Sequence, residues 1–233
     1  MSQPRVEVGD SVQLSATVSD PETPVQQLAF EWSANAAGTF DGTGAQVRWR
    51  PATTLVTPVA VEVRLTVVEQ YTVPVGRSTE TRENRTTSAV TVHANNSRDE
   101  LANLALTFLA DFGNSSNTPE FCVRNFTDQC RGKTAELNDI RVDRQRYVIA
   151  SYSVRVDRID IVGTTAYIFA PCTFNSIDRA TGVPLKPSVG ICALTALYEP
   201  YRWWLCTSNY CQGYSGCHPV PGISSFIRGL RGQ

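Results

Sequence analysis

Gly190-Ile191-Cys192-Ala193-Leu194-Thr195-Ala196-Leu197-Tyr198-Glu199-Pro200-Tyr201-Arg202-Trp203-Trp204-Leu205-Cys206 is the most apolar run of the chain, broken once by Glu-Pro-Tyr-Arg. Pro200 fits a turn but not a central strand, so the run reads as two antiparallel strands joined by a tight connection. Successive strand residues point to opposite faces, so adjacent Trp203 and Trp204 predict a strand covered on both sides. A sheet buried in that way needs a helix on one face. Upstream, Ser97-Arg98-Asp99-Glu100 is a capping box, and Leu101, Leu104, Ala105, Phe108, Leu109 and Phe112 follow on one helical face until Gly113. That helix has the length of the missing cover.

Working outward, Lys133 to Arg141 reads as a second helix with Ala135, Leu137 and Ile140 on its apolar side. Strands are expected at Tyr147 to Val156, Ile159 to Ile161 and Ala166 to Phe174, with a hairpin turn at Val162-Gly163-Thr164-Thr165. Two helices followed by long antiparallel strands define an α+β domain. Residues 5–93 differ. Val12, Leu14, Ala16 and Val18 alternate with polar residues, as do Leu28, Phe30 and Trp32, Val47 and Trp49, Val59 to Val67, and Val90 and Val92. Between them lie turn sequences such as Ser19-Asp20-Pro21-Glu22, so this half reads as an all-β sandwich. Residues 71–87 are polar and read as an extended hairpin connection or exposed loop. His93-Ala94-Asn95-Asn96 is the expected linker.

The order Val-Gly-Asp-Ser-Val-Gln-Leu-Ser-Ala, Ser-Asp-Pro-Glu, Phe-Glu-Trp-Ser and Gly-Thr-Phe, closed by a Val-rich strand, resembles PKD and related immunoglobulin-like domains of secreted bacterial proteins. The resemblance implies that Trp32 packs between the two sheets. The second half resembles the NTF2-like superfamily, which includes nuclear transport factor 2 and ketosteroid isomerase. It does so through the opening helix, Ala135-Glu136-Leu137-Asn138-Asp139-Ile140 before Tyr147-Val148-Ile149, the Gly163 hairpin and the closing Leu-Tyr-Glu-x-x-Arg-Trp-Trp-Leu-Cys. The expected organisation is therefore two domains: an immunoglobulin-like sandwich over residues 1–94, an NTF2-like cone of helices on a curved antiparallel sheet over 95–212, and a tail over 213–233.

All seven cysteines, Cys122, Cys130, Cys172, Cys192, Cys206, Cys211 and Cys217, fall in the second half, beside only two histidines in the whole chain. That usage reads as disulfides in an oxidising compartment, and so as a secreted, periplasmic or cell-surface protein. The expected pairs are Cys122 with Cys130, Cys172 with Cys192, and Cys206 with Cys211 or Cys217. Intervening stretches of seven, four and five residues in the close pairs do not match paired zinc ligands. No metal or cofactor is expected, although Asp10, Asp20 and Glu22 are the acids that a calcium site in the first half would use. The formal charge of -1, with signs interspersed, gives no reason to expect nucleic acid as a partner, and no apolar run is long enough to span a membrane.

The absence of a catalytic motif favours a non-catalytic binding or assembly protein whose partners are other protein chains, among them copies of itself. The alternative is a small-molecule enzyme or ligand-binding protein of the ketosteroid isomerase kind, which would use the NTF2-like cavity. For such chemistry Tyr147, Tyr152, Tyr167, Asp139 and Asp160 are the available donors and acids. Tyr147, Tyr152, Tyr198, Trp203 and Trp204 are candidates for a cavity lining or contact surface. Ile223, Phe226, Ile227 and Leu230 form a candidate assembly tail, to which the odd cysteine could add a cross-link. Asn84, Asn95, Asn114 and Asn125 open glycosylation sequons. His93 and His218 read as surface residues.

Overall fold

Val61, Val63 and Val92 are completely buried, because the Val-rich run forms the middle of a sheet. The computed structural model describes residues 4–211, which fall into two units divided between Asn96 and Ser97. The first unit contains seven strands: β1 (Arg5–Glu7), β2 (Val12–Ser15), β3 (Ala29–Ala34), β4 (Gly38–Asp41), β5 (Gln46–Pro51), β6 (Val59–Val75) and β7 (Ser78–Asn95). They form two sheets, ordered β1-β7-β6-β3 and β2-β5-β4. Val6, Val61, Val63, Val92 and Ala94 from one sheet and Leu14, Val47 and Trp49 from the other make a single core, so the unit is a sandwich.

Several expectations for this unit are corrected. Trp32 does pack between the sheets, its ring 6.4 Å from that of Phe40 on β4, but it is only partly covered and donates its ring N–H to the Gly44 carbonyl at 2.9 Å, whereas Trp49 is the fully buried tryptophan. Alternation assigns both rings inward. The second sheet, however, has only three short strands, and its cover ends near Trp32. Ala16 and Val18 lie past the end of β2. The expected linker is strand: His93, Ala94 and Asn95 pair in parallel with Arg5, Val6 and Glu7. His93 is accordingly buried rather than a surface residue. The polar stretch at 71–87 belongs to the β6–β7 hairpin, turned at Gly76 with φ +64°.

The second unit carries α1 (Ser97–Gly113), α2 (Pro119–Cys122) and α3 (Gly132–Arg146). Five strands follow: β8 (Tyr147–Val154), β9 (Arg158–Val162), β10 (Thr165–Asp178), β11 (Ser188–Tyr198) and β12 (Trp203–Cys211). The sheet is antiparallel in the order β12-β11-β10-β8, and β9 pairs with the first part of β10. Leu101, Ala105, Phe108, Leu109 and Phe112 of α1 are buried in a core completed by Phe126, Ile140, Ile168, Phe174, Leu194, Trp203 and Leu205. Each such Leu or Phe contributes roughly 1.5–3 kcal/mol relative to exposure, so packing of this face, more than propensity, holds α1. Gly113 does not end the helix through a left-handed conformation. It is buried, and a Cβ there would collide with the Tyr152 ring.

β12 contains a bulge. Thr195 opposes Thr207 while Ala196 opposes Leu205, which leaves Cys206 as the extra residue. The bulge shifts the inward phase, so that Trp203 and Leu205 face the core before it and Ser208 and Tyr210 do so after it. Cys206 bonds Cys130, and the backbone of Gly132 lies against the Cys206 carbonyl so closely that no side chain fits between them. Cys172 bonds Cys192 across β10 and β11. Two expected pairings therefore change: Cys122 is not joined to Cys130, and Cys206 is joined to neither Cys211 nor Cys217. The odd thiol is Cys122, which is buried, and burial raises its pKa above the ordinary value. It is not placed to cross-link chains.

Candidate functional site

Helix α3 buries Gly132, Glu136, Ile140 and Asp143, a stripe at helical spacing that includes two acids. Ala135 and Leu137, expected on its apolar side, are only partly covered. Glu136 accepts a hydrogen bond from the Ser208 hydroxyl. Asp143 lines a concavity with Phe112, Arg144, Tyr147, Ile149, Phe174, Ser176, Ser188 and Tyr210. Its enclosed volume is about 20 Å³, which is room for one water molecule. Phe112 and Phe174 meet edge to face beneath it, with ring centres 5.4 Å apart. Burial raises the Tyr210 phenol above its ordinary pKa, so the hydroxyl stays protonated through neutral pH.

Arg144 positions one wall of this concavity. Its guanidinium donates to the Phe112 carbonyl at 2.6 Å and the Asn114 carbonyl at 2.9 Å, at the end of α1, where helix carbonyls lack partners and the dipole favours a cation. It also donates to the Ser115 hydroxyl at 2.9 Å, and Ser115 accepts the Ile149 amide at 2.8 Å. One side chain thus ties α1 to the start of β8.

The expected aromatic group divides. Tyr147 and Tyr210 reach the concavity, while Tyr152 stacks on Phe174 at 6.4 Å. Trp203 is buried, donates to the Ser97 hydroxyl at 2.8 Å and meets Tyr198 at 5.3 Å. Trp204 lies on the opposite face beneath the Arg202 guanidinium at 3.9 Å. Asp160 is exposed and pairs with Arg158 at 3.0 Å, and Asp139 is not among the lining residues. The acid that does line the concavity, Asp143, has a sequence signal that apolar scoring overlooks: it lies three residues beyond Ile140, on the same helical face.

The first unit has a larger, open groove of about 500 Å³ where the second sheet stops. Leu28, Trp32, Leu65 and Val67 form its apolar floor, and Asp20, Glu69 and Asn84 its polar rim. Glu69 accepts hydrogen bonds from Thr23 and from Asn84, the latter at 2.9 Å. Asp20 accepts the amides of Thr23 and Glu22 at 2.7 and 2.8 Å, bonds that lower its pKa. Its carboxylate thus closes a local turn, and among the described residues no group of three His, Cys, Asp or Glu could hold a metal ion.

Among the sequons, Asn84 and Asn114 are exposed and Asn125 is half-buried. Asn95 is fully buried, which leaves no space for a glycan on its side chain and removes it from the candidates. Ile223, Phe226, Ile227, Leu230, Cys217 and His218 lie outside the described residues. Cys211 is disulfide-bonded. Among the described residues no helix is long and apolar enough to cross a membrane.

No protein-family model matches the sequence, and no curated protein sequence does. A ketosteroid isomerase-like protein from Erwinia carotovora atroseptica is structurally similar at 11% identity, over 47% of this chain and 91% of that one, with a TM-score of 0.42. An NTF2-like superfamily protein from Salmonella enterica serovar Typhimurium is similar at 12% identity, over 50% of this chain and 91% of that one, with a TM-score of 0.40. Likenesses this distant carry no part of the functional reading.

Proposed function

We propose that the protein is an extracytoplasmic, non-catalytic binding or assembly protein, in which an immunoglobulin-like, PKD-type sandwich presents an NTF2-like domain. The observation that carries this reading is the filled interior of the second unit. Among the described residues, phenylalanine, leucine and tryptophan side chains occupy the space between helix and sheet, and the concavity beside Asp143 holds about 20 Å³, against the several hundred Å³ that small-molecule sites require. The Cys130–Cys206 and Cys172–Cys192 disulfides support an oxidising compartment. Titration of intrinsic tryptophan fluorescence with steroids and fatty acids tests the reading. No saturable change is expected. One-to-one saturable binding that is lost on Phe112→Ala would overturn it and favour the small-molecule alternative, for which the buried Asp143 beside Tyr147 and Tyr210 is the supporting feature.

The partners in this reading are other protein chains, including copies of this one, and the apolar tail at 221–233 is the proposed assembly element. Deleting residues 221–233 and measuring mass by light scattering tests that part. Loss of a multimer supports it, and the same mass before and after deletion sinks it.

A further inference from the structure

Every one of the 17 residues of β6 has a partner on β7, without a register shift. β3 accompanies β6 only as far as Val68, and β1 accompanies β7 only from His93. Residues 69–75 and 78–84 therefore form a two-stranded ribbon, and β7 has an open edge from Ser78 to Val92 among the described strands. A ribbon of two strands is marginal by itself, and a long open edge invites another strand.

The phase of that edge follows from the turn. Gly76 and Arg77 make a two-residue loop, so Val75 and Ser78 form a hydrogen-bonded pair and odd-numbered residues of β7 direct N–H and C=O away from β6. The His93 amide, which donates to the Pro4 carbonyl at 2.9 Å, and the Asn95 carbonyl, which accepts the Val8 amide at 2.8 Å, have the same phase. On β6 the outward positions include Pro74, which has no N–H and blunts that edge. From 79 to 91, β7 has no proline, lysine or bulge.

We propose that β7 pairs edge to edge with β7 of a second copy of this chain, antiparallel about a two-fold axis passing through Asn84. Such an axis stands normal to the ribbon, so each symmetric register centres on a residue facing its own copy. Centring on Arg82, Glu83 or Arg85 sets like charges against each other. Centring on Thr81 runs the partner into the turn after a short overlap. Centring on Asn84 aligns 78–90 in full and sets Glu83 opposite Arg85 of the other copy twice over, with Thr81 opposite Thr87. Opposite charges facing across strands are favourable and like charges are not. Glu83 and Arg85 now pair along their own strand at 3.2 Å, while Glu83 accepts from Gln70 of β6 at 3.1 Å and Arg85 reaches across β6 to Glu31 of β3 at 3.0 Å. Both residues are exposed, and pairing with a second copy exchanges these surface contacts for contacts between copies. The contact is isologous and closes at two chains, and it uses no part of the tail.

The test uses the full chain made without N-glycosylation, since a glycan on Asn84 would occupy the axis. Light scattering should show a concentration-dependent rise from 25.6 kDa toward twice that mass. Asn84→Cys should give a disulfide-linked dimer on mild oxidation, because that position faces itself across the axis, while Thr81→Cys should not. Arg85→Glu should weaken the dimer by about tenfold or more by facing glutamate with glutamate, and Glu83→Arg combined with Arg85→Glu should restore it. A mass of 25.6 kDa at every concentration with no Asn84→Cys cross-link overturns the proposal. So does a dimer indifferent to Arg85→Glu, or one cross-linked by Thr81→Cys instead. A dimer that survives deletion of 221–233 but not Arg85→Glu supports the edge contact and rejects the tail.

Discussion

Ser208 donates its hydroxyl hydrogen to the Glu136 carboxylate where both residues are closed to solvent, joining β12 to α3. Removing the donor leaves a buried carboxylate oxygen short of a partner, at about 1–3 kcal/mol. Ser208→Ala should lower stability by that amount in urea unfolding. Glu136→Leu added to Ser208→Ala should recover part of the loss, because the acid no longer needs a donor.

The two disulfides that join described residues close loops of different length, 76 residues for Cys130–Cys206 and 20 for Cys172–Cys192. Loop entropy assigns the first about 4–5 kcal/mol and the second about 3. Replacing each pair by alanines and comparing urea midpoints should show the Cys130/Cys206 variant to be the less stable.

Gly132 and Gly113 both sit where a Cβ has no room, but the obstacles differ. At Gly132 it is the Cys206 backbone carbonyl, and at Gly113 the ring of the partly exposed Tyr152, which can turn aside. Gly132→Ala should therefore destabilise by more than Gly113→Ala, with overpacking of this kind costing about 1–3 kcal/mol. Thermal unfolding of the two variants checks the order.

His93 is buried, and desolvation lowers its pKa below 6.5. The unfolded chain therefore takes up the proton first as the solution is acidified. The folded state is at full strength above pH 6.5 and loses stability as pH falls through that value toward the lower folded pKa. Comparing urea midpoints at neutral pH and below 6.5 for the protein and His93→Phe should show a smaller acid loss in the variant.

Much of the second unit was legible because periodicity is a local property. The α1 face from Leu101 to Phe112 is buried almost residue for residue, and the strands on either side of Glu199-Pro200-Tyr201-Arg202 pair as expected. What escaped depends on neighbours distant in sequence. Trp32 and Trp49 carry the same alternation signal, and only the short opposing sheet decides which is fully covered. The pairing of Cys206 follows from a bulge that period-two counting cannot see. Asp143 and Glu136 give no apolar signal, because the buried stripe of α3 is polar at two of its four positions.

The β1–β7 pairing has a consequence for the order of folding. The β6–β7 ladder closes over sequence separations that grow steadily from 3 at Val75–Ser78 (78 − 75) to 35 at Val59–Ala94 (94 − 59). Arg5 and His93 meet over 88 residues (93 − 5). Loop-closure entropy rises with separation, so the hairpin can zip while the N-terminal strand is still free, and the parallel contact that shelters His93 comes late. The slow search in this unit is therefore that of Arg5, Val6 and Glu7 for an edge already built. Any agent that reaches the His93–Asn95 edge first competes with the chain's own N-terminus.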